Sequence, residues 1–139
     1  IYINYNFLKN YDDPLFVGIK EEYEDLKKQV PNLEFYDPKD FLEIAQIIKS
    51  SRFFIGNQSV CFPIAEALKV PRLLEASPDT PLVQPVGKNG FDFYFQPHFQ
   101  MNFLPTKTLY FRKALQENSF RLILYLRFFS YFSPSKGFT

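Results

Sequence analysis

Between Leu15 and Glu75 the chain repeats one pattern of apolar and polar positions. Phe16-Val17-Gly18-Ile19 is a short strand-like apolar run, followed by EEYEDLKKQV, where Tyr23, Leu26 and Val30 recur at helical spacing on a charged background. Pro31-Asn32 breaks that helix, and Leu33-Glu34-Phe35-Tyr36 reads as the next strand. Asp37 or Asp40 then caps a helix in which Phe41, Ile44, Ala45 and Ile48 share one face. Arg52-Phe53-Phe54-Ile55 predicts a third strand and Val60 to Val70 a third helix. Pro71 to Glu75 is a fourth strand, opened by a proline at the one position where a strand tolerates it. Each strand-helix unit takes about twenty residues, short but sufficient for a parallel crossover.

Strands alternating with helices imply a parallel sheet, because a parallel connection needs a crossover and a helix is its usual form. The expected class is α/β: an open, Rossmann-like parallel sheet with right-handed crossovers and helices on both faces, in a chain too short for a closed barrel. Ile1 to Tyr5, with Ile1 and Ile3 alternating with Tyr2 and Asn4, is a candidate additional strand. After Glu75, SPDTPLVQPVGKNG reads as a loop, and Phe91 to Phe95 alternates as a strand does. Lys107 to Phe132 is proline-free and rich in helix formers, and predicts an aromatic-rich C-terminal helix. Its most apolar part, Phe120 to Phe132, carries Arg121 and Arg127 and is shorter than the roughly twenty apolar residues of a membrane span. It is expected to pack on the domain or a partner, with a peripheral membrane contact as the alternative. The division is thus a Rossmann-like domain over residues 1–100 and a helical tail over 101–139.

Composition narrows the setting. With 139 residues, 46% of them hydrophobic, the chain suits one domain with a real core. Sixteen Lys and Arg against fifteen Asp and Glu leave a net charge of +1, so no duplex-binding surface is advertised and no nucleic-acid partner is expected. The single cysteine, Cys61, cannot form an intrachain disulfide, and no secretory leader pattern is present, which points to a cytoplasmic setting. The chain starts at Ile1 in strand-like sequence and reads as a fragment.

Candidate chemistry concentrates in FIGNQSVCFPIAEALKVP, residues 54–71. In an open parallel sheet ligands bind beyond the carboxyl ends of the strands, and the loop after the third strand is such a place. Gly56 would let the backbone turn, Ser59 would cap the next helix, and the free N–H groups at that helix start would suit a phosphate. Pro63 fits the first turn, where its missing N–H is no loss. Asn57 and Gln58 supply groups for a ribose, a sugar or a pyrophosphate. An ordinary strand-helix turn explains the same residues, and neither the G-x-G-x-x-G fingerprint nor a P-loop is present, so the residues alone leave both readings open.

The run DFLEIAQIIKSSRFFIGNQSVCFPIAEALKVPRLLE, with FVGIKEEYEDL before it, resembles the C-terminal half of GT-B glycosyltransferases, in particular the lipopolysaccharide heptosyltransferases. The resemblance covers about residues 14 to 100 and rests on no single highly specific motif. It implies a nucleotide-sugar donor, a glycan or lipid-linked acceptor, and a partner N-terminal domain that carries the catalytic carboxylate and is missing here. Gly56 matches the family glycine. Gln58 stands where the family carries Asp, Ser59 where it carries Thr, Val60 where it carries Gly, and Pro63 where it carries His, departures that bear on ADP-heptose specificity. Glu43 sits like a family acid that contacts the donor, although a solvated helix face accounts for it equally. The expected substrate-binding set is Gly56, Asn57, Gln58, Ser59 and Glu75, the last at the carboxyl end of the fourth strand. No catalytic residue is assigned within this chain, and neither metal nor cofactor is implied. Residues 1–139 alone are expected to bind weakly and not to turn over. From about Met101 the sequence departs from the family.

Other candidates carry less. His98 has no nucleophile with a local signature, and Cys61, in a first helical turn, suits a small apolar packing role better than a reactive one. Asp12-Asp13 and Glu21-Glu22-Glu24-Asp25 fit a solvated turn and an acidic first helical turn. Glu66, on the small-residue helix, is better placed than these. A reading of a different class is a non-catalytic Rossmann-like interaction module: eighteen Phe and nine Tyr exceed what a small core commonly needs.

Overall fold

The structure, a computed structural model, describes residues 4–77, 83–93 and 122–125. Six strands, β1 (Pro14–Val17), β2 (Glu34–Tyr36), β3 (Phe53–Asn57), β4 (Arg72–Glu75), β5 (Gly90–Phe93) and β6 (Leu122–Tyr125), form one sheet in the order β2-β1-β6-β3-β4-β5. Every neighbouring pair is parallel. Three helices connect the first four strands: α1 (Lys20–Gln29), α2 (Phe41–Ser50) and α3 (Cys61–Leu68).

The helices divide between the two faces. On one, Leu26 and Val30 of the α1 unit pack with Phe16, Phe53, Ile55, Leu73 and Phe93. On the other, Ile48, Cys61, Phe62 and Ala65 of α2 and α3 pack with Leu15, Val17, Phe54 and Leu74. Alternation along each strand produces this partition, since neighbouring residues point to opposite faces. β1 leads to β2 in one direction and β3 to β4 in the other, so right-handed crossovers require α1 opposite α2 and α3, as observed. With both faces covered, β1 and β3 are buried throughout, as parallel strands usually are. The α/β class, the open parallel sheet and the helices on both faces agree with the sequence reading.

Local chemistry sets the element ends. Asp40 caps α2 through an Oδ1 that accepts the Glu43 N–H at 2.8 Å. Glu43 reaches back to accept the Lys39 N–H at 2.6 Å and the Tyr36 hydroxyl at 2.8 Å, much as a capping box does. These bonds hold the Glu43 carboxyl below its usual range, the Lys39 amide foremost. Beside α1, Phe16, Tyr23 and Phe35 form an aromatic cluster with centroids 5.1 to 6.3 Å apart, and Lys20 Nζ lies 4.6 Å from the rings of Tyr23 and Phe35.

Three expectations are corrected. Asn4 and Tyr5 do not continue a strand: Asn4 Oδ1 accepts the Asn6 N–H at 2.9 Å, bending the backbone into a 3-10 turn over Asn6–Asn10 that buries Tyr5 and Leu8. Residues 1–3 of that expected strand lie outside the described residues. Leu122–Tyr125, expected as helix, is strand β6, because a short apolar run paired between two strands carries no periodicity to separate it from a helix. The rest of the expected helix over 107–132 lies outside the described residues, as does His98. Gly56 is not a turn residue: it lies inside β3, paired with Leu74 and Tyr125, and the chain turns only after Asn57.

Candidate functional site

The carboxyl ends of β3 and β4 bring four of the five predicted site residues together. Asn57 ends β3 and is the register partner of Glu75, which ends β4. Gln58 and Ser59 follow directly, leading into α3. Gly56 stands one residue back in the strand, buried, and contributes backbone only.

Two of these side chains hold the loop. The Asn57 side chain is buried, and its Oδ1 accepts the Ser59 N–H at 3.1 Å, an Asx turn that starts the reversal out of β3. Gln58 Oε1 accepts the Ser77 N–H at 3.0 Å, and its Nε2 donates to the Val83 carbonyl at 3.5 Å. Gln58 therefore stitches the loop after β3 to the loop after β4. Both residues build the site rather than reach into it.

Ser59 differs from the expected cap. Val60 occupies the N-cap position in helical conformation, without a side-chain cap bond, and the Phe62 N–H closes a turn on the Ser59 carbonyl at 3.1 Å. The serine amide is taken by the Asx bond from Asn57. Ser59 Oγ is shielded from solvent and has no hydrogen-bond partner among the described residues. A buried hydroxyl without a partner costs about 1–3 kcal/mol. Pro63 sits in the first turn of α3, where no intrahelical acceptor awaits an N–H.

Glu75 is the charged group of the site. Its Oε2 accepts the Tyr5 hydroxyl at 2.9 Å, a contact spanning seventy residues of sequence that periodicity could not foretell. Burial pushes the Glu75 carboxyl above its ordinary range, while the Tyr5 bond and the amino-terminal charge pull it back part of the way. Tyr5 itself is raised well above an ordinary phenol, by burial first and by the Glu75 charge second, so the shared proton stays on tyrosine.

A native pKa above the unfolded value means that the folded chain binds more protons between the two. Stability contributed by Glu75 is complete below the ordinary glutamate range and is lost as pH rises through the raised value. Glu75→Gln keeps an acceptor for Tyr5 and removes the charge. The variant is expected to match wild type below the ordinary glutamate range and to gain on it as pH rises through the raised Glu75 value, levelling off above it, in urea-unfolding free energies. A difference that does not change with pH would contradict a buried, ionising Glu75.

The other acids and the thiol take structural roles. Glu66 faces the opposite end of β4, where its Oε2 accepts from Arg72 Nε at 2.5 Å and from the Val86 N–H at 3.2 Å, while its Oε1 accepts from Lys69. Glu43 is engaged in the α2 cap. Cys61 is buried against Phe62 and its neighbours, and burial raises its thiol to about 12, which makes it an apolar packing residue rather than a nucleophile. Exposed apolar side chains also gather at element junctions on the carboxyl side of the sheet: Ile19 after β1, Tyr36 ending β2, Phe41 and Leu42 opening α2, and Val60 before α3. Among the described residues no helix is long and apolar enough to cross a membrane. No protein-family model, curated protein or solved structure matches the chain.

Proposed function

We propose that the carboxyl edge of β3 and β4 is the donor subsite of a GT-B-like glycosyltransferase, binding a nucleotide sugar for transfer to a glycan or lipid-linked acceptor. The observation that carries this reading is Ser59 Oγ, a shielded hydroxyl without a partner among the described residues, just before α3 and two residues beyond a strand whose register partner ends in Glu75. A diphosphate suits the amide groups of the helix start, and the Glu75 carboxylate suits the hydroxyls of a ribose or sugar. Asn57 and Gln58 serve by holding the loop, and Gly56 by its backbone. The base for the acceptor hydroxyl belongs to the second domain of such an enzyme, and the exposed Ile19, Tyr36, Phe41, Leu42 and Val60 are suited to facing it.

The test is calorimetry with UDP-glucose, GDP-mannose and ADP-glucose at millimolar concentration. One of them is expected to bind saturably, and Ser59→Ala to weaken it by about tenfold, the worth of one well-placed hydrogen bond in a shielded site. Gln58→Ala is the wrong probe, since it would release the loop from Ser77 and Val83. The exposed apolar side chains also favour a second reading, a non-catalytic interaction module. Absence of binding to all three nucleotides, together with concentration-dependent self-association, supports that alternative.

A further inference from the structure

The segment before β1 lies outside the strand-helix units that build the donor site, yet its Tyr5 side chain hydrogen-bonds Glu75. Tyr5 is held on three sides. Its N–H donates to Gln29 Oε1 at 3.0 Å, its carbonyl accepts the Leu8 N–H at 2.9 Å, and its ring is buried with Leu8 in the α1 face of the core. A ring fixed this firmly delivers its hydroxyl to a defined point, and that point is Oε2 of Glu75.

We propose that Tyr5 is a positioning residue for the donor site: by engaging Oε2 it fixes the rotation of the Glu75 carboxylate and presents Oε1 at the carboxyl edge as the acceptor for the vicinal hydroxyls of a ribose or sugar. The inference rests on the donor-site reading for its ligand and on the Tyr5–Glu75 contact for its geometry. A carboxylate bound at one oxygen has a narrowed range of orientations for the other, so hydroxyl recognition costs less ordering than it would with a freely rotating side chain. The phenol also favours the ionised carboxylate, the form that accepts two hydroxyls. The 3-10 turn that carries Tyr5 is thereby coupled to ligand affinity, although it lies outside the strand-helix units that build the loop.

Two measurements on the full chain separate the parts of this inference. The first needs no ligand: the Glu75 side-chain carboxyl is titrated by carbon-detected NMR in wild type and in Tyr5→Phe, which keeps the buried ring. The amino-terminal charge is common to both proteins. Loss of the hydroxyl is expected to move the Glu75 titration to higher pH, and an unchanged titration overturns the positioning role. The second is the pH profile of affinity for whichever of UDP-glucose, GDP-mannose and ADP-glucose wild type binds. Tyr5→Phe is expected to weaken binding about tenfold and to shift the onset of tight binding to higher pH, while Glu75→Gln removes the pH dependence. Unaltered affinity and profile in Tyr5→Phe overturn the inference with the donor reading intact. If wild type binds none of the three, the donor reading fails, and with it the ligand assigned to Oε1, while the carboxyl titration still decides the Tyr5–Glu75 geometry.

Discussion

A chain cut after Gln100 is expected not to fold cooperatively. Residues 1–100 hold five of the six described strands and the three described α-helices, yet the strand between β1 and β3 is Leu122–Tyr125. Its removal deletes three register pairs with β1 and four with β3. It leaves two strands, each buried along its length, with backbone donors and acceptors facing a gap. Each buried backbone group left unpaired costs about 1–3 kcal/mol, and several together exceed the roughly 5–15 kcal/mol by which a domain is stable. Circular dichroism should record a broad, non-cooperative melt and dye binding to exposed apolar surface. A sharp transition at the wild-type temperature in the 1–100 chain would mean that β6 is dispensable to the sheet.

The second large effect is expected at Arg72, whose side chain is 0% exposed. Its Nε donates to Glu66, its Nη1 to the Val70 carbonyl at 3.1 Å, and its Nη2 to the Val86 carbonyl at 2.8 Å. The guanidinium thus ties α3, the start of β4 and the loop before β5 into one unit, and Gly90 is packed so closely beneath it that an added Cβ would lie 2.8 Å from Nη2. Arg72→Met removes the buried partner of the Glu66 ion pair, leaving that carboxylate to Lys69 and the Val86 amide, and takes a donor from the Val70 and Val86 carbonyls. The expected loss is about 3–5 kcal/mol, on the order of 10 °C or more in Tm. Burial acts to raise the Glu66 carboxyl, but Arg72, Lys69 and the Val86 amide outweigh it and hold it below the usual range. This contribution to stability is present above the ordinary glutamate range and is lost as pH falls through the lowered value, the opposite of Glu75. In Arg72→Met the acid-side loss attributable to Glu66 should therefore shrink. A destabilisation under 1 kcal/mol would contradict the structural weight placed on this network.

How far the fold was legible follows from where each signal resides. The units from β1 to β4 could be read because helical periodicity, a proline break and an aspartate cap all act within a few residues, as Asp40 does for Glu43. β6 could not, because LILY carries no periodicity and its neighbours β1 and β3 lie far away in sequence. At the candidate site, the structure gives several residues local roles that their sequence patterns do not show. Gly56 reads as a turn residue, but register with β4 and β6 extends β3 through it. Ser59 reads as a cap, but the helix begins one residue later, with Val60 at the N-cap, and the Ser59 hydroxyl has no partner among the described residues. Asn57 and Gln58 read as ligand contacts, and Gln58 instead depends on backbone groups nineteen and twenty-five residues away. The tie between Tyr5 and Glu75 depends on tertiary packing alone, and no local pattern in either segment announces it.

Chemical-shift mapping tests the central claim most directly. A nucleotide sugar is titrated into the isotope-labelled 139-residue chain and every backbone amide is followed. The account predicts saturable shifts concentrated at residues 57–62 and 75–77, reduced in Ser59→Ala, with no sugar transferred by this chain alone. Saturable shifts centred elsewhere, or none at any donor concentration up to the millimolar range, would contradict a donor site at the carboxyl edge of β3 and β4.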